Sequence, residues 1–384
     1  MPWVSVALIA LGAAVAQAFG RFAYGVLLPA VRDDLGISNT VAGTISAVNV
    51  GGYLLGTLLV AWVASRIRLL EVLRLGLTLT ALGLFIAAIA NSPGLLMVGL
   101  LLTGVGGAAV WIPAPIVAAD AMPAQHRPMA VGLMGSGIGL GIVFTGFVSA
   151  HVRVTQGDAG WPTVFWVDAI IACITLVGLL LVVRHQQGQT SSKGGFGGFS
   201  ALRRMRGWLP LTLAYSAFGF MYLLIIGFLT TRLEDDSGWS AQSAAYAFTL
   251  LGIAMVFGGP LSIWVRKRLG SRTTISLVFL LWTILTLVVL SGATVPTLLA
   301  VVGLGMLFTS LPGLVTVVVV ENTSANDYGP AYSAITLAFG LAQTVSPQIG
   351  GVIADLSGSF TWVFMLSSVF GVFGLVAARA LPAD

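Results

Sequence analysis

"RDDLGIS", residues 32–38, returns as "EDDSGWS" at residues 234–240, an offset of 202 positions. The same offset places Gly56 on Gly258, Arg66 on Arg268 and Pro128 on Pro330. With one residue of slip, "FGRFAY" (19–24) faces "FGFMY" (218–222). Coincidences at a single spacing identify a duplicated unit about half the chain long. Around these landmarks the sequence is apolar. Of 384 residues, 57% are hydrophobic and 8% charged, against roughly 25% charged in soluble domains. A compact soluble domain has too little interior to hide that much apolar surface, so the solvent is lipid.

Segments of about 20 apolar residues, long enough to span a bilayer, recur twelve times. They fall near 3–30, 40–65, 69–90, 95–118, 129–150, 162–183, 207–230, 240–265, 273–290, 296–320, 331–354 and 360–379. Most connections are a few residues with turn signals such as "NSPG" (91–94), so neighbours run antiparallel. The exception is 184–206, "RHQQGQTSSKGGFGGFSALRRMR", which is polar, Gly/Ser-rich and basic and reads as a flexible cytoplasmic linker. The expected organisation is therefore an N-terminal six-helix bundle (1–183), the linker (184–206) and a C-terminal six-helix bundle (207–384). With the N-terminus inside, fourteen basic residues fall on the cytoplasmic side and only Arg32, Arg153 and Arg232 on the other. That bias predicts both termini in the cytoplasm. Two parallel six-helix halves predict a transporter whose site lies between them near the midplane.

Several other classes are excluded. The pI near 9.7 reflects basic loops between spans and not a nucleic-acid partner. The single cysteine, Cys173, rules out a disulfide framework or a CxxC site and reads as a small buried hydrophobe. "AVAQA" (14–18) resembles a signal-peptidase site, but no basic region precedes it and the apolar run continues, so it reads as part of a retained first helix. The glycines of "GSGIGLG" (135–141) do not fit GxGxxG, follow no strand and lie in an apolar span; they read as helix contacts. No phosphate-binding loop with its lysine is present, so ATP is not the energy source. With no nucleophile–base pair or metal-ligand set, neither an enzyme, a metal nor a cofactor is expected.

With these features in view, the chain resembles the major facilitator superfamily over its whole length. "GRFAYGVLLPAVRDDLGIS" followed by "GGYLLGTLL" is similar to the YbfB/YjiJ-type bacterial branch. The resemblance implies an all-α integral membrane protein of the bacterial inner membrane, with twelve transmembrane helices in two pseudo-symmetric six-helix bundles. The superfamily's G-x-L-x-D-R-x-G-R signature survives in "AWVASRIRL" (61–69) as Arg66, with Ala61 and Ser65 replacing the glycine and aspartate. The second copy, "IWVRKRLGSR" (263–272), keeps Arg268, Gly270 and Arg272, with Lys267 at the aspartate position. Asp120 and Glu321 fill the acidic positions ending helices 4 and 10. The implied device is a cytoplasmic gate in which Asp120 pairs with Arg66 or Arg127, and Glu321 with Arg268, when that side is closed. Leu100 stands where many proton-driven members carry arginine, and helix 5 lacks the G-x-x-x-G-P of drug antiporters.

The family's cavity is lined mainly by helices 1, 4, 7 and 10, and the first helix carries one charge, Arg21. A guanidinium stays protonated, so it cannot escape burial by becoming neutral. Nine residues before Ala30, at about 1.5 Å each, Arg21 lies roughly 13 Å below the outer end of the helix. Gln17 and Tyr24, at i−4 and i+3, lie on the same helix face and form with it a polar stripe expected to look into the cavity. Arg21 is the expected counter-charge for an anionic substrate, and its repeat-mate, Phe220 or Leu223, carries none. Asn49, Tyr53, Trp111, Tyr215, Tyr222, Tyr246, Tyr332 and Gln343 are further candidates for an amphipathic lining. Asp168, the other charge well inside a span, is a candidate for proton coupling, since a desolvated carboxyl can titrate near neutrality. The sequence thus predicts a monomeric secondary transporter working by alternating access on a small organic anion, its expected partners being protons and the lipid bilayer. Proton-driven efflux of amphipathic drugs or toxic metabolites is the alternative.

Overall fold

The computed structural model describes residues 2–63, 66–183 and 198–382, and every regular element among them is a helix. The spans are α1 (Pro2–Leu35), α2 (Asn39–Val63), α3 (Leu69–Ala88), α4 (Pro93–Asp120), α5 (Arg127–Gln156) and α6 (Trp161–Val182). The second set begins with α7 (Trp208–Asp236), and continues with α8 (241–269), α9 (271–289), α10 (Thr294–Asn322), α11 (Ala325–Ser357) and α12 (Thr361–Arg379). Helices α8 and α9 follow one another without a loop over Ala241–Val289. An unbroken helix of that length would reach about 70 Å, more than twice the hydrocarbon thickness. The break is at Gly270, whose φ of 78° and ψ of 168° lie outside helical space; a side chain would strain that backbone. Part of the expected linker, 184–197, lies outside the described residues. Its remainder is not extended chain, because Gly198–Arg204 forms a helix against α11, with Arg204 bonded to Asp327 at 2.6 Å.

The duplicated motif builds the same turn twice. Gly36 (φ 58°) and Gly238 (φ 68°) take the left-handed conformation at corresponding positions. Ser38 accepts from the Val41 N–H and Ser240 from the Ser243 N–H, capping α2 and α8. Asp34 accepts from the Trp161 indole at the start of α6. Its counterpart Asp236 accepts from the Phe360 and Thr361 N–H groups at the start of α12. The motif therefore ties the first and last helices of each half together. Between halves, α1 packs on α7, α2 on α11 and α5 on α8.

Three spans depart from regular α-helix. Val15–Phe22 within α1 is π-helical, as is Arg232–Asp236 at the end of α7. Helix α4 breaks at Pro113, between Pro93–Trp111 and Ala114–Asp120. Cys173 is exposed on α6 and not buried as its apolar run suggested; in a lipid-facing stripe an apolar neighbourhood carries no burial information.

Candidate functional site

Arg21 sits in the π-helical segment of α1 and reaches across to the second half. One Nη2 donates to the Tyr222 hydroxyl at 3.1 Å and to the Gln343 side-chain oxygen, while Tyr222 donates to the same oxygen at 2.8 Å. The guanidinium lies over the Tyr53 ring, 4.6 Å from its centroid, with Phe22 at 5.6 Å. Its Nε is buried without a hydrogen-bond partner. Among the described residues no carboxylate pairs with Arg21, so a fixed positive charge is met only by neutral acceptors and ring faces. That arrangement leaves donor capacity in a planar fork, the geometry that holds a carboxylate.

Aromatic rings wall the C-terminal side. Tyr215 stacks on Phe339 with centroids 4.1 Å apart and planes 8° apart. Phe218, Tyr222 and Phe339 are stacked neighbours, and Phe308 meets Tyr222 edge-on at 5.0 Å. Phe22 meets Phe308 from α1. Tyr332 accepts from Thr316 at 3.1 Å and stacks with Tyr328. Phe22, Phe218, Phe308 and Phe339 carry no mark in the sequence, because phenylalanine in a span is as readily a lipid-facing side chain, as Phe147 and Phe257 are.

The expected stripe of Gln17, Arg21 and Tyr24 is kept only in part: Gln17 hydrogen-bonds the Tyr53 side chain, over whose ring Arg21 lies, whereas Tyr24 turns away. Gln17 donates to the Gly107 carbonyl of α4 at 3.5 Å, and Tyr24 donates to the Ala42 carbonyl of α2 at 3.1 Å. The cause is the π-helical stretch, in which hydrogen bonds run i→i+5 and the angular spacing of a regular helix is lost. π-helical bulges are rare and concentrate at functional sites. This one is held by Asn49, which donates to the Gly20 and Leu100 carbonyls, both at 2.8 Å; Thr103 donates to Gly20 at 2.7 Å. Asn49 thus supports the backbone beside Arg21. Replacing it with alanine is expected to cost about 1–3 kcal/mol, the usual penalty for orphaned buried partners. The measurement is a lowered unfolding temperature, with substrate KM changed much less.

Trp111, Tyr246 and Asp168 make no hydrogen bond or ring contact with this group among the described residues. Trp111 is half-buried at the break in α4. Tyr246 is 42% exposed on α8 with its ring near Phe147. Asp168 is 0% exposed, and neither carboxyl oxygen has a hydrogen-bond partner among the described residues. Of the expected cytoplasmic gate, Glu321 bonds Arg266 and not Arg268, which lies 4.2 Å over the Trp264 ring. Arg66 lies over Trp62, and Asp120 and Arg127 make no ion pair among the described residues.

The opposite end, bearing the α1–α2 and α7–α8 turns, is bolted across the halves. Arg32 forms a forked pair with Asp235, and Arg153 holds both oxygens of Glu234 at 2.6 and 2.8 Å. Asp355 accepts from the Asn39 and Thr40 N–H groups at 3.0 and 2.7 Å. At the offset of 202, Arg32 corresponds to Glu234 and Arg153 to Asp355. The charges at both pairs of equivalent positions are inverted between halves.

Residues 13–379 match the family model described as "Uncharacterised MFS-type transporter YbfB". The 4-hydroxybenzoate transporter PcaK of Acinetobacter baylyi is 26% identical, over 72% of this chain and 68% of that protein. The gallate transporter of Pseudomonas putida is 25% identical over 94% of this chain and 84% of that one. The hexuronate transporter of Bacillus subtilis is 25% identical over 95% and 91%. Among solved structures, a point mutant of the nucleoside transporter NupG superposes with a TM-score of 0.83 at 14% identity, covering 99% of this chain and 99% of its own. A duplicated twelve-helix membrane bundle, matched by one family from the first span to the last, belongs to the major facilitator superfamily in its YbfB-type branch.

Proposed function

We propose that this transporter carries a small aromatic or amphipathic carboxylate by alternating access, with Arg21 as counter-charge. The observation that supports this reading is the Arg21 guanidinium itself: fixed in charge, half-buried, unpaired with any acid among the described residues, and walled by rings from both halves. The carboxylate takes the place of Gln343 on the guanidinium, and the apolar body enters between Phe308 and the Tyr215–Phe339 stack. Three similar transporters have names that specify organic acids, two of them aromatic.

Alternating access draws its support from the asymmetry of the two ends. Ion pairs join the halves at the α1–α2 end, whereas among the described residues Arg266–Glu321, Arg204–Asp327 and Arg74–Glu71 at the linker end each stay within one half. The positive-inside bias puts the bolted end outside and both termini in the cytoplasm, so this conformation opens inward. The protein acts as a monomer in the inner membrane, taking protons with its substrate.

Uptake of labelled aromatic monocarboxylates into proteoliposomes, with and without an imposed pH gradient, tests the proposal. Asp168 is the coupling group in this reading. Asp168→Asn is expected to abolish stimulation of uptake by a proton gradient while substrate exchange continues. An unaltered response to the gradient removes Asp168 from the mechanism.

A further inference from the structure

The linker end of the second half contains a cavity unrelated to Arg21. About 320 Å³ in volume, it lies between α9 and α12. Arg272, Thr273 and Arg379 line it with charge and hydroxyl, and Leu277, Leu280 and Leu375 with hydrocarbon.

Local structure explains why two arginines meet there. The backbone break at Gly270 starts α9 afresh, so Arg272 and Thr273 occupy its first turn. The N–H groups of a first turn lack intrahelical acceptors, and the helix dipole favours an anion beside them. Arg379 ends α12. The two helices pack with little room at Gly374, where a Cβ would collide with the Phe279 ring, and this brings Arg379 beside the start of α9. Ser276 donates to the Arg272 carbonyl at 2.8 Å, so its hydroxyl proton is already engaged.

Several other arginines at this end have companions. Arg266 bonds Glu321, Arg204 bonds Asp327, Arg74 bonds Glu71, and Arg268 and Arg66 cover tryptophan rings. Arg272 and Arg379 are exposed, and among the described residues neither forms an ion pair or a ring contact. Two cations facing one groove repel each other unless an anion joins them. The hydrocarbon lining specifies what kind of anion: Leu280 is 38% exposed and lies two turns along α9 from Arg272, toward the middle of the span. An inorganic phosphate has no use for that surface, whereas a lipid lays its acyl chain there.

We propose that this groove binds an acidic phospholipid, its phosphate held by Arg272, Arg379 and the Thr273 hydroxyl, its chain along Leu277, Leu280 and Leu375. Basic pockets between helices on the cytoplasmic side recognise anionic headgroups by the same physics. The forked guanidinium suits a phosphate better than an ammonium would.

The test uses the full-length chain in mild detergent and native mass spectrometry of retained lipid. Phosphatidylglycerol and phosphatidylcholine with identical chains are the lipid probes; glycerol 3-phosphate and inorganic phosphate are the soluble ones. Wild type is expected to retain phosphatidylglycerol at least tenfold better than phosphatidylcholine. Arg272→Gln combined with Arg379→Gln is expected to remove that preference, with phosphatidylcholine retention unchanged, and Leu280→Gln to weaken phosphatidylglycerol retention while leaving the charge. Both arginines are exposed, and the lysine double variant, expected to keep part of the preference, shows that loss follows charge and not folding. An undiminished preference in the glutamine variant overturns the proposal. So does displacement of phosphatidylglycerol by equal concentrations of glycerol 3-phosphate or inorganic phosphate, which would make the groove a free-anion site.

Discussion

Arg21→Ala is expected to lower kcat/KM for an aromatic monocarboxylate about thirtyfold or more, because truncating one member of a desolvated, hydrogen-bonded charge pair costs about 2–5 kcal/mol. The substrate carboxylate would enter a site whose other polar groups, Tyr222 and Gln343, are neutral, so nothing nearby replaces the lost charge. Arg21→Lys restores a charge but not the planar fork, and should fall between the two, about tenfold below wild type. The protein itself should tolerate both changes. With no acid pairing Arg21 among the described residues, removal leaves no buried carboxylate stranded, and unfolding temperature should move little. Uptake by proteoliposomes, fitted for kcat and KM separately, is the measurement. Anion transport by Arg21→Ala at the wild-type rate would sink the counter-charge reading.

Glu234→Gln is expected to open the α1–α2 end. Arg153 is 2% exposed in its side chain and Glu234 13%, and breaking a buried pair by removing one partner costs about 3–5 kcal/mol. Asp158, which Arg153 also bonds, retains part of the compensation, so the lower bound applies. About 3 kcal/mol corresponds to roughly a hundredfold shift between conformations. A cysteine replacing Phe308 in a Cys173→Ser background should then react faster with an impermeant thiol reagent added from the α1–α2 side. The exchange Arg153→Glu with Glu234→Arg should restore part of the protection, but not all, since Asp158 would then face a like charge. Unchanged labelling in Glu234→Gln would dissociate the ion pair from closure.

The architecture was legible because lipid imposes it: a bilayer demands helices of a certain length, and a duplication preserves its turns. Gly36 and Gly238, with Ser38 and Ser240 after them, could be placed without coordinates because their roles are local. Arg21 stood out because a permanent charge in an apolar span requires a reason. The surroundings of Arg21 were much harder to read. Tyr24 and Asn49 looked like cavity lining, yet their polar groups serve the Ala42, Gly20 and Leu100 carbonyls. The π-helical turn that redirects Tyr24 and that Asn49 braces has no sequence signal. Phe218, Phe308 and Phe339, which wall the site, carry the same letter as Phe147, Phe257 and Phe373, which are exposed on the outside. Only tertiary packing distinguishes them.

The inverted charges at the α1–α2 end bear on how two related bundles recognise each other during folding. Were an N-terminal half to meet another copy of itself in the native arrangement, Arg153 would fall against Arg32. Two C-terminal halves would set Asp355 against Glu234. Either self-pairing brings like charges together in a poorly solvated seam, a cost of several kcal/mol in comparable interfaces; only the mixed pairing satisfies both. A duplicated unit begins self-complementary, and substitutions of opposite sign at two positions are enough to make the halves obligate complements.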